Sequence, residues 1–427
     1  MSALWIVSVE SGQASKLDDG DAVQPAWSPS GTRIAFWGNS ASASGPQRDI
    51  FTIPSAGGPR VAVLEDAPVD WSATWAPDGR SLYFASDRAG VSNLWRIDID
   101  ESTGRTLGNL ELVTGGVQAA ADQPSLSRDG TKLVYRSRVT TVNPFAVPFD
   151  PEAERPLGSP KALFERSAIL APKDVSPDGR WLALGNFGEP REDIFIARTD
   201  GTDLRRLTDD VARDRAPMWS PDGRELAFYS SRTGDTQIWT IRSDGSGLTQ
   251  RTDARPGGIM YPLWSPAGDR IVGSLPRIES MTGYIWDLAQ GWSSAKPLPG
   301  LRTSSGWLRP LDWSRDGRRL AGVIQDAGAN AIGIGWYDVV TGVSGVVSHD
   351  QLPTPSDVEW LPDSRRILFV NDRGELVIVD ADTKRRTVVS IEWPFHIADE
   401  SVALAPDGRT IYVGGRKVES DLWMVER

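Results

Sequence analysis

One five-residue turn recurs along the chain and leaves room for little except a repeat architecture. It reads WSPSG at Trp27, WAPDG at Trp75, LSRDG at Leu126, VSPDG at Val175, WSPDG at Trp219, WSPAG at Trp264, WSRDG at Trp313, WLPDS at Trp360 and LAPDG at Leu404. The nine turns end at residues 31, 79, 130, 179, 223, 268, 317, 364 and 408, a spacing of 44 to 51 residues with a period near 47. A tryptophan-rich period of this length is the mark of propeller blades, each of about four strands. The turn chemistry fits a hairpin: Ser or Asp suits its first position, Pro presets φ at the next, and Gly supplies φ > 0 at the end. Short apolar strands follow, such as RIAFW, SLYFAS, ELAFYS and TIYVGG, and then a second group that includes NLWRI, QIWTI and DLWMV.

The copies are imperfect. Ser30 and Ala267 replace Asp, Arg128 and Arg315 replace Pro, and Ser364 replaces Gly, so the last of these turns is expected to be strained or rearranged. Residues 141–161, with five prolines, read as a blade with an extended outer loop. No composition break divides the chain. The reading is therefore an all-β fold, a single β-propeller domain over 1–427 with nine blades, or eight if the first strand duplicates a role of the last. The chain starts with what look like third and fourth strands, ALWIV and QASKL, and finishes with the first three strands of a blade. An edge ending in DLWMV needs a cover, so the amino-terminal strand is expected to close the ring.

The WSPDG turn, the following Leu-Ala-Phe strand, the Ser-x-Arg hairpin and the Ile-Trp strand resemble the TolB-like β-propeller repeat. The resemblance is cleanest over residues 200–252 and extends more weakly over nearly the whole chain. It implies the fold, but function only broadly, since such repeats serve as binding modules, as extracytoplasmic sensor parts of bacterial signalling proteins, and as gating domains of peptidases. It also suggests that the chain is the carboxy-terminal part of something longer, which would make it periplasmic or extracytoplasmic if an upstream anchor exists. A chain complete as given would be cytoplasmic.

Composition trims the function classes. Lys plus Arg number 46 against 57 acids, a net charge of −11, which disfavours nucleic acid as a partner. Cysteine is absent, and the two histidines, His349 and His396, are 47 residues apart, so no cofactor or metal site is expected. The resemblance extends to oligogalacturonate lyases, but their sites rest on several histidines about a metal. Gly342-Val343-Ser344-Gly345 is followed by Val346, so the Gly-x-Ser-x-Gly elbow is also missing. No stretch approaches 18 apolar residues, hence no membrane span is read.

In a propeller, polar residues just before each turn sit at the channel mouth, where ligands are captured. Counting back from the turns selects Asp70, Trp71, Asp122, Asp214, Arg215, Tyr261, Arg309, Asp357, Asp399 and Glu400. Together they suit a protein or peptide partner, or a small polar ligand, held by a monomer. The competing expectation is that these charges pair across neighbouring blades. Arg88, Arg138 and Arg232 are expected to bond to adjacent backbone. Trp27, Trp75, Trp219, Trp264, Trp313 and Trp360 share one repeat position and should be core, whereas Trp37, Trp71, Trp292 and Trp307 are the candidates for exposed contact. Two functions remain: a non-enzymatic binding or sensing module, and a hydrolase or lyase with acids in the channel.

Overall fold

Eight of the nine turns place their glycine at φ between +69° and +74° in the computed structural model. The model describes residues 3–20, 22–42, 45–64, 66, 68–89, 92–115, 119–186, 192–210, 212–254, 257–275, 283–298, 306–326, 330–350, 352 and 357–426. The turn serine works twice: at Ser220 its hydroxyl donates to Asp222 (2.6 Å) and accepts from the Glu225 N–H (3.0 Å). Ser364, where glycine is missing, keeps the turn at φ +55°, and its N–H donates to the Leu361 carbonyl (3.0 Å). It is strained but not rearranged, since a left-handed backbone costs a serine what it spares a glycine.

Among the described residues the regular structure is strand, apart from one short 3-10 turn at Trp292–Ser294, and no helix is long and apolar enough to cross a membrane. The clearest sheet runs Asp214–Trp219, Glu225–Thr233, Asp235–Arg242, Thr249–Gln250, all antiparallel and in chain order. Leu226, Ala227, Phe228 and Ile238 on its middle strands are fully buried, as strands covered on both faces must be.

The chain forms two compact units: residues Met1–Thr140 with Val418–Arg427, and residues Thr141–Lys417. The second holds five four-stranded sheets, whose first strands are Ala171–Val175, Asp214–Trp219, Met260–Trp264, Trp307–Trp313 and Val358–Trp360. A sixth sheet begins at His396–Leu404. These six inner strands touch in turn, and the last touches the first.

Strand pairing differs from the expected nine-blade ring closed by the amino terminus. Leu4–Val7 pairs with Ala14–Asp18, while Thr410–Glu426 pairs with His396–Leu404 and with the 19-residue strand Lys132–Asp150. The Phe149 N–H donates to the Arg409 carbonyl (2.8 Å), and Lys161–Ala162 adds the outer strand. The proline-rich stretch read as an outer loop is thus the third and fourth strands of the sixth sheet. Its prolines are tolerated because Phe145, Val147 and Phe149 still alternate inward onto Ile411 and Val413. Leu422, Trp423 and Met424 of the first unit, expected to be covered, are exposed, as are Trp5 and Val7.

Of the repeat tryptophans, Trp75, Trp219, Trp313 and Trp360 are buried and Trp264 is half-buried, but Trp27 is 54% exposed. Each buried one leans on the sheet before it, as Trp219 does on Ala183, Ile194 and Ile196. The sheet before Trp27 has only two strands and supplies no such wall. Trp37, Trp71, Trp292 and Trp307 are half-buried, not exposed; Trp292 stacks locally on Tyr284 and Trp286.

A candidate ligand-binding channel

Each inner strand but one carries a register shift a few residues before its turn, for example between Arg215 and Met218, Met260 and Leu263, and Ile397 and Val402. The residue at the bulge often has φ > 0 without being glycine: Gln24, Ser72 and Gln123 in the first unit, and Ala216, Tyr261 and Glu400 in the second. Such backbone costs about 1 kcal/mol or more per residue and re-aims a side chain. In the second unit the re-aimed groups meet. Lys173, Tyr261, Asp357, Glu359 and Glu400 line a cavity of about 40 Å³ together with Met218, Leu263 and Leu311.

The geometry there is closely linked. The Tyr261 hydroxyl donates to Glu400 Oε1 (3.2 Å), and Lys173 Nζ lies 3.6 Å from Glu400 Oε2 while also donating to the Glu400 carbonyl. Tyr261 packs on Tyr229 (5.3 Å between rings), and the Arg309 guanidinium lies 4.8 Å from the Tyr261 ring. Burial, then the neighbouring Glu400 carboxylate, pushes the Tyr261 phenol well above its ordinary range, so it remains a donor. Asp357 accepts the Val402 N–H (2.8 Å); burial raises its pKa to about 6 although Lys173 opposes the shift.

Three further carboxylates, which the sequence reading passed over, line the turn end of the same channel. Asp174, Asp312 and Glu359 face a cavity of about 330 Å³ walled by Trp219, Trp264, Trp313 and Trp360. All three stand immediately before the turn, in a slot that holds Met218, Leu263 and Ala403 in the other copies of this unit. That was the available signal: acids alternating with apolar residues at one repeat position. Asp174 ties adjacent sheets by accepting the N–H groups of Val175 (2.7 Å) and Trp219 (2.6 Å); Asp312 does the same for Trp313 (2.7 Å) and Trp360 (2.6 Å). Each keeps some surface toward the channel but is surrounded by protein, and burial raises both to about 7. Glu359 is pushed well up by burial and by the charges of Asp312, Asp174 and Asp357.

The sign of the stability effect follows. A carboxyl raised in the fold holds its proton where the unfolded chain has lost it, so its contribution is complete below about pH 4 and is lost as pH rises to about 7. Melting temperature should rise between pH 8 and pH 5. Glu359→Gln installs the neutral form that the fold favours at this position and should gain about 1 kcal/mol at pH 8, roughly 2–4 °C, and flatten the pH slope. Thermal melts of both proteins at the two pH values check this; a variant that melts no higher than the parent at pH 8 rules it out.

The ten residues picked from sequence fall into three groups. Tyr261, Arg309, Asp357 and Glu400 are brought together in the channel, with Arg215 beside Tyr229 but already gripping the buried Glu192 through two hydrogen bonds. Asp214 and Asp399 are paired within their sheets, the first with both oxygens on Arg232 (2.7 and 2.8 Å), the second with Arg416 (2.9 Å). Asp70, Trp71 and Asp122 belong to the first unit, where Asp70 holds Arg88 (2.9 and 3.0 Å), Asp122 holds Arg136 (2.7 and 2.8 Å), and Trp71 packs on a core cluster. Arg88 and Arg232 thus bond to side chains, Ser86 and Asp70 or Ser230 and Asp214, rather than to backbone. Asp49, Asp66 and Asp70 bring carboxylate oxygens within 4.8 Å of one another, but Arg88 already donates to Asp66 and Asp70 and supplies the positive charge a cation would.

Comparison with known proteins places these observations. A protein of Agrobacterium fabrum described as uncharacterized is 33% identical over 168 residues, 39% of this chain and 38% of that protein, so the chain spans about two-fifths of the relative's length. Among solved structures, TolB from Acinetobacter baumannii is 15% identical over 83% of this chain and 82% of its own, with a TM-score of 0.47. An oligogalacturonate lyase in complex with manganese is 15% identical over 97% and 96%, at 0.33. A puromycin-hydrolyzing peptidase of Mycobacterium tuberculosis is 15% identical over 88% and 61%, at 0.35. The TolB beta propeller domain family matches residues 1–157 and 161–288, about two thirds of the sequence, and with its all-strand, turn-punctuated sheets the chain belongs to that family.

Proposed function

We propose that this propeller is a non-enzymatic interaction module that takes a protein segment, peptide or small polar ligand in the channel of residues 141–417, as the sensing or protein-binding part of a bacterial signalling or envelope protein working outside the cytoplasm. The observation that carries the reading is the bulge at a shared repeat position. It spends backbone strain at Ala216, Tyr261 and Glu400 to bring a donor, a carboxylate and an open space into a channel that also offers Lys173 and apolar Met218, Leu263 and Leu311, with Arg309 against the Tyr261 ring beside it. Mixed charge spread over several blades suits recognition of an extended polar chain by many modest contacts. Panning a displayed random-peptide library tests it. Selected peptides should bind about tenfold more weakly to Glu400→Gln and Tyr261→Phe, variants that keep the shape of the site. Peptides that bind parent and variants alike would remove the channel from the account, and no enrichment at all would remove the peptide and leave a small polar ligand.

A second reading, a hydrolase or lyase, is favoured by Asp174 and Asp312, whose pKa values near 7 suit general acid–base work at neutral pH. Both already accept two backbone N–H groups, which ties them to a structural task. Turnover of oligosaccharide or peptide libraries that disappears in Glu359→Gln or Glu400→Gln would put this reading first.

A further inference from the structure

Beside the channel, between the sheets that begin at Met260–Trp264 and Trp307–Trp313, lies a separate cavity of about 90 Å³ lined by Met260, Tyr261, Ser274, Leu308, Arg309 and Gln325. That is roughly three waters' share of liquid volume at about 30 Å³ each. Its polar groups are unusual for this protein. The Ser274 hydroxyl is buried, at 6% exposure for the residue, and has no hydrogen-bond partner; Arg309 is half-buried as a residue, and its Nε is shielded and likewise without a partner. Among the described residues Arg309 makes no ion pair within 4 Å, whereas Arg88, Arg136, Arg206, Arg215, Arg232 and Arg366 each hold a carboxylate. A buried donor left unmade costs about 1–3 kcal/mol, more when charged, and both of these belong to residues that line the one cavity, which makes it the place for an acceptor.

We infer that this cavity is a subsite for a single carboxylate group, with the Arg309 fork and the Ser274 hydroxyl as donors and the Tyr261 ring fixing the guanidinium plane. Guanidinium matches carboxylate through two parallel N–H bonds, and stacking on a tyrosine limits its rotation. The cavity holds a group of a few heavy atoms and no more. A dianion such as phosphate is disfavoured, because Asp357 already acts on Arg309 through space and Glu400 sits on the other side of Tyr261. The carboxylate comes either from a small organic acid or from the free end of a peptide; the chemistry recognised is the same. The inference rests on the reading of the channel as a binding site and names one group that site selects.

Titration of the full chain with sodium acetate, followed by calorimetry or carbon-13 NMR of labelled acetate, tests it. Saturable binding is expected, about tenfold weaker in Arg309→Met and in Arg309→Lys, which keeps charge but loses the fork, and about threefold weaker in Ser274→Ala. Melting curves establish that each variant is folded. Equal affinity in parent and Arg309 variants, no saturable acetate binding by the parent, or inorganic phosphate binding as tightly as acetate would each overturn the assignment. Peptides with free and amidated carboxyl termini separate the sources: a free end binding at least tenfold more tightly than both acetate and its amide assigns the terminus, acetate binding at least as tightly as the free-ended peptide assigns a small acid, and an amide binding as tightly as the free end and more tightly than acetate would overturn the carboxylate assignment. Acetate binding that depends on Arg309, with no peptide enriched from the library, would leave this subsite standing and sink only the peptide-binding reading.

Discussion

Replacing Asp214 by alanine is expected to destabilise the protein by up to about 3–5 kcal/mol, the range for breaking a buried ion pair, since Arg232 then keeps only the more exposed Asp210, 3.4 Å away. Asp214 is fully buried and both its oxygens accept from Arg232, whose side chain is only 12% exposed. Ser230 Oγ takes the Arg232 Nε–H (2.8 Å), and the guanidinium also lies over Trp239 (4.9 Å), so Arg232 cannot turn to water without dismantling its hairpin. The double variant Asp214→Ala, Arg232→Met removes the stranded charge and should recover most of the loss, which urea denaturation of the parent, single and double variants would measure. A single-variant loss under about 1 kcal/mol, or a double variant no better than the single, would show that the pair does not hold this hairpin.

Trp219→Ala should cost a similar amount, about 3–5 kcal/mol, for a different reason. The indole is 5% exposed and fills the space between its own sheet and Ala183, Ile194 and Ile196 of the sheet before it. Its Nε1 has no hydrogen-bond partner, so Trp219→Phe forfeits area but no bond and should cost appreciably less. In a repeat array part of the loss can appear as local opening of two neighbouring sheets, so hydrogen exchange should accompany the denaturation curve. An alanine variant within about 1 kcal/mol of the parent would mean the tryptophan is not seated between sheets.

What could be read from sequence was local. The turn glycines, the strands after them and the inter-sheet tryptophans are set by a few neighbouring residues, and they fall where the repeat puts them, except at Trp27, whose cover is a two-stranded sheet. The long-range pairing was not legible, because it depends on which distant strand reaches which edge, and the strands concerned, Lys132–Asp150 and Thr410–Glu426, continue through the boundary between the two units with no break in period or composition. The site was half legible. Counting back from the turns found Tyr261, Arg309, Asp357 and Glu400, but it treated Asp214 and Asp122 as equivalent to them, although these turn toward arginines of their own sheets. The bulge decides which side chain is released into the channel, and a left-handed Tyr261 or Glu400 leaves no glycine behind to announce it.

The pairing of Lys132–Asp150 with Thr410–Glu426 also fixes an order of events during synthesis. Residues 141–162 emerge from the ribosome long before residues 396–417, beside which they must lie, and the first unit likewise waits for residues 418–427. Neither unit can complete its sheets while the five intervening ones are still being made. For that whole interval the apolar faces of Phe145, Val147 and Phe149 lack their partners. While residues 163–395 are being made, the chain therefore carries open strand edges, the state in which strand backbones are most apt to pair with another chain. The arrival of residues 396–417 is the step that gives Phe145, Val147 and Phe149 their partners Ile411 and Val413.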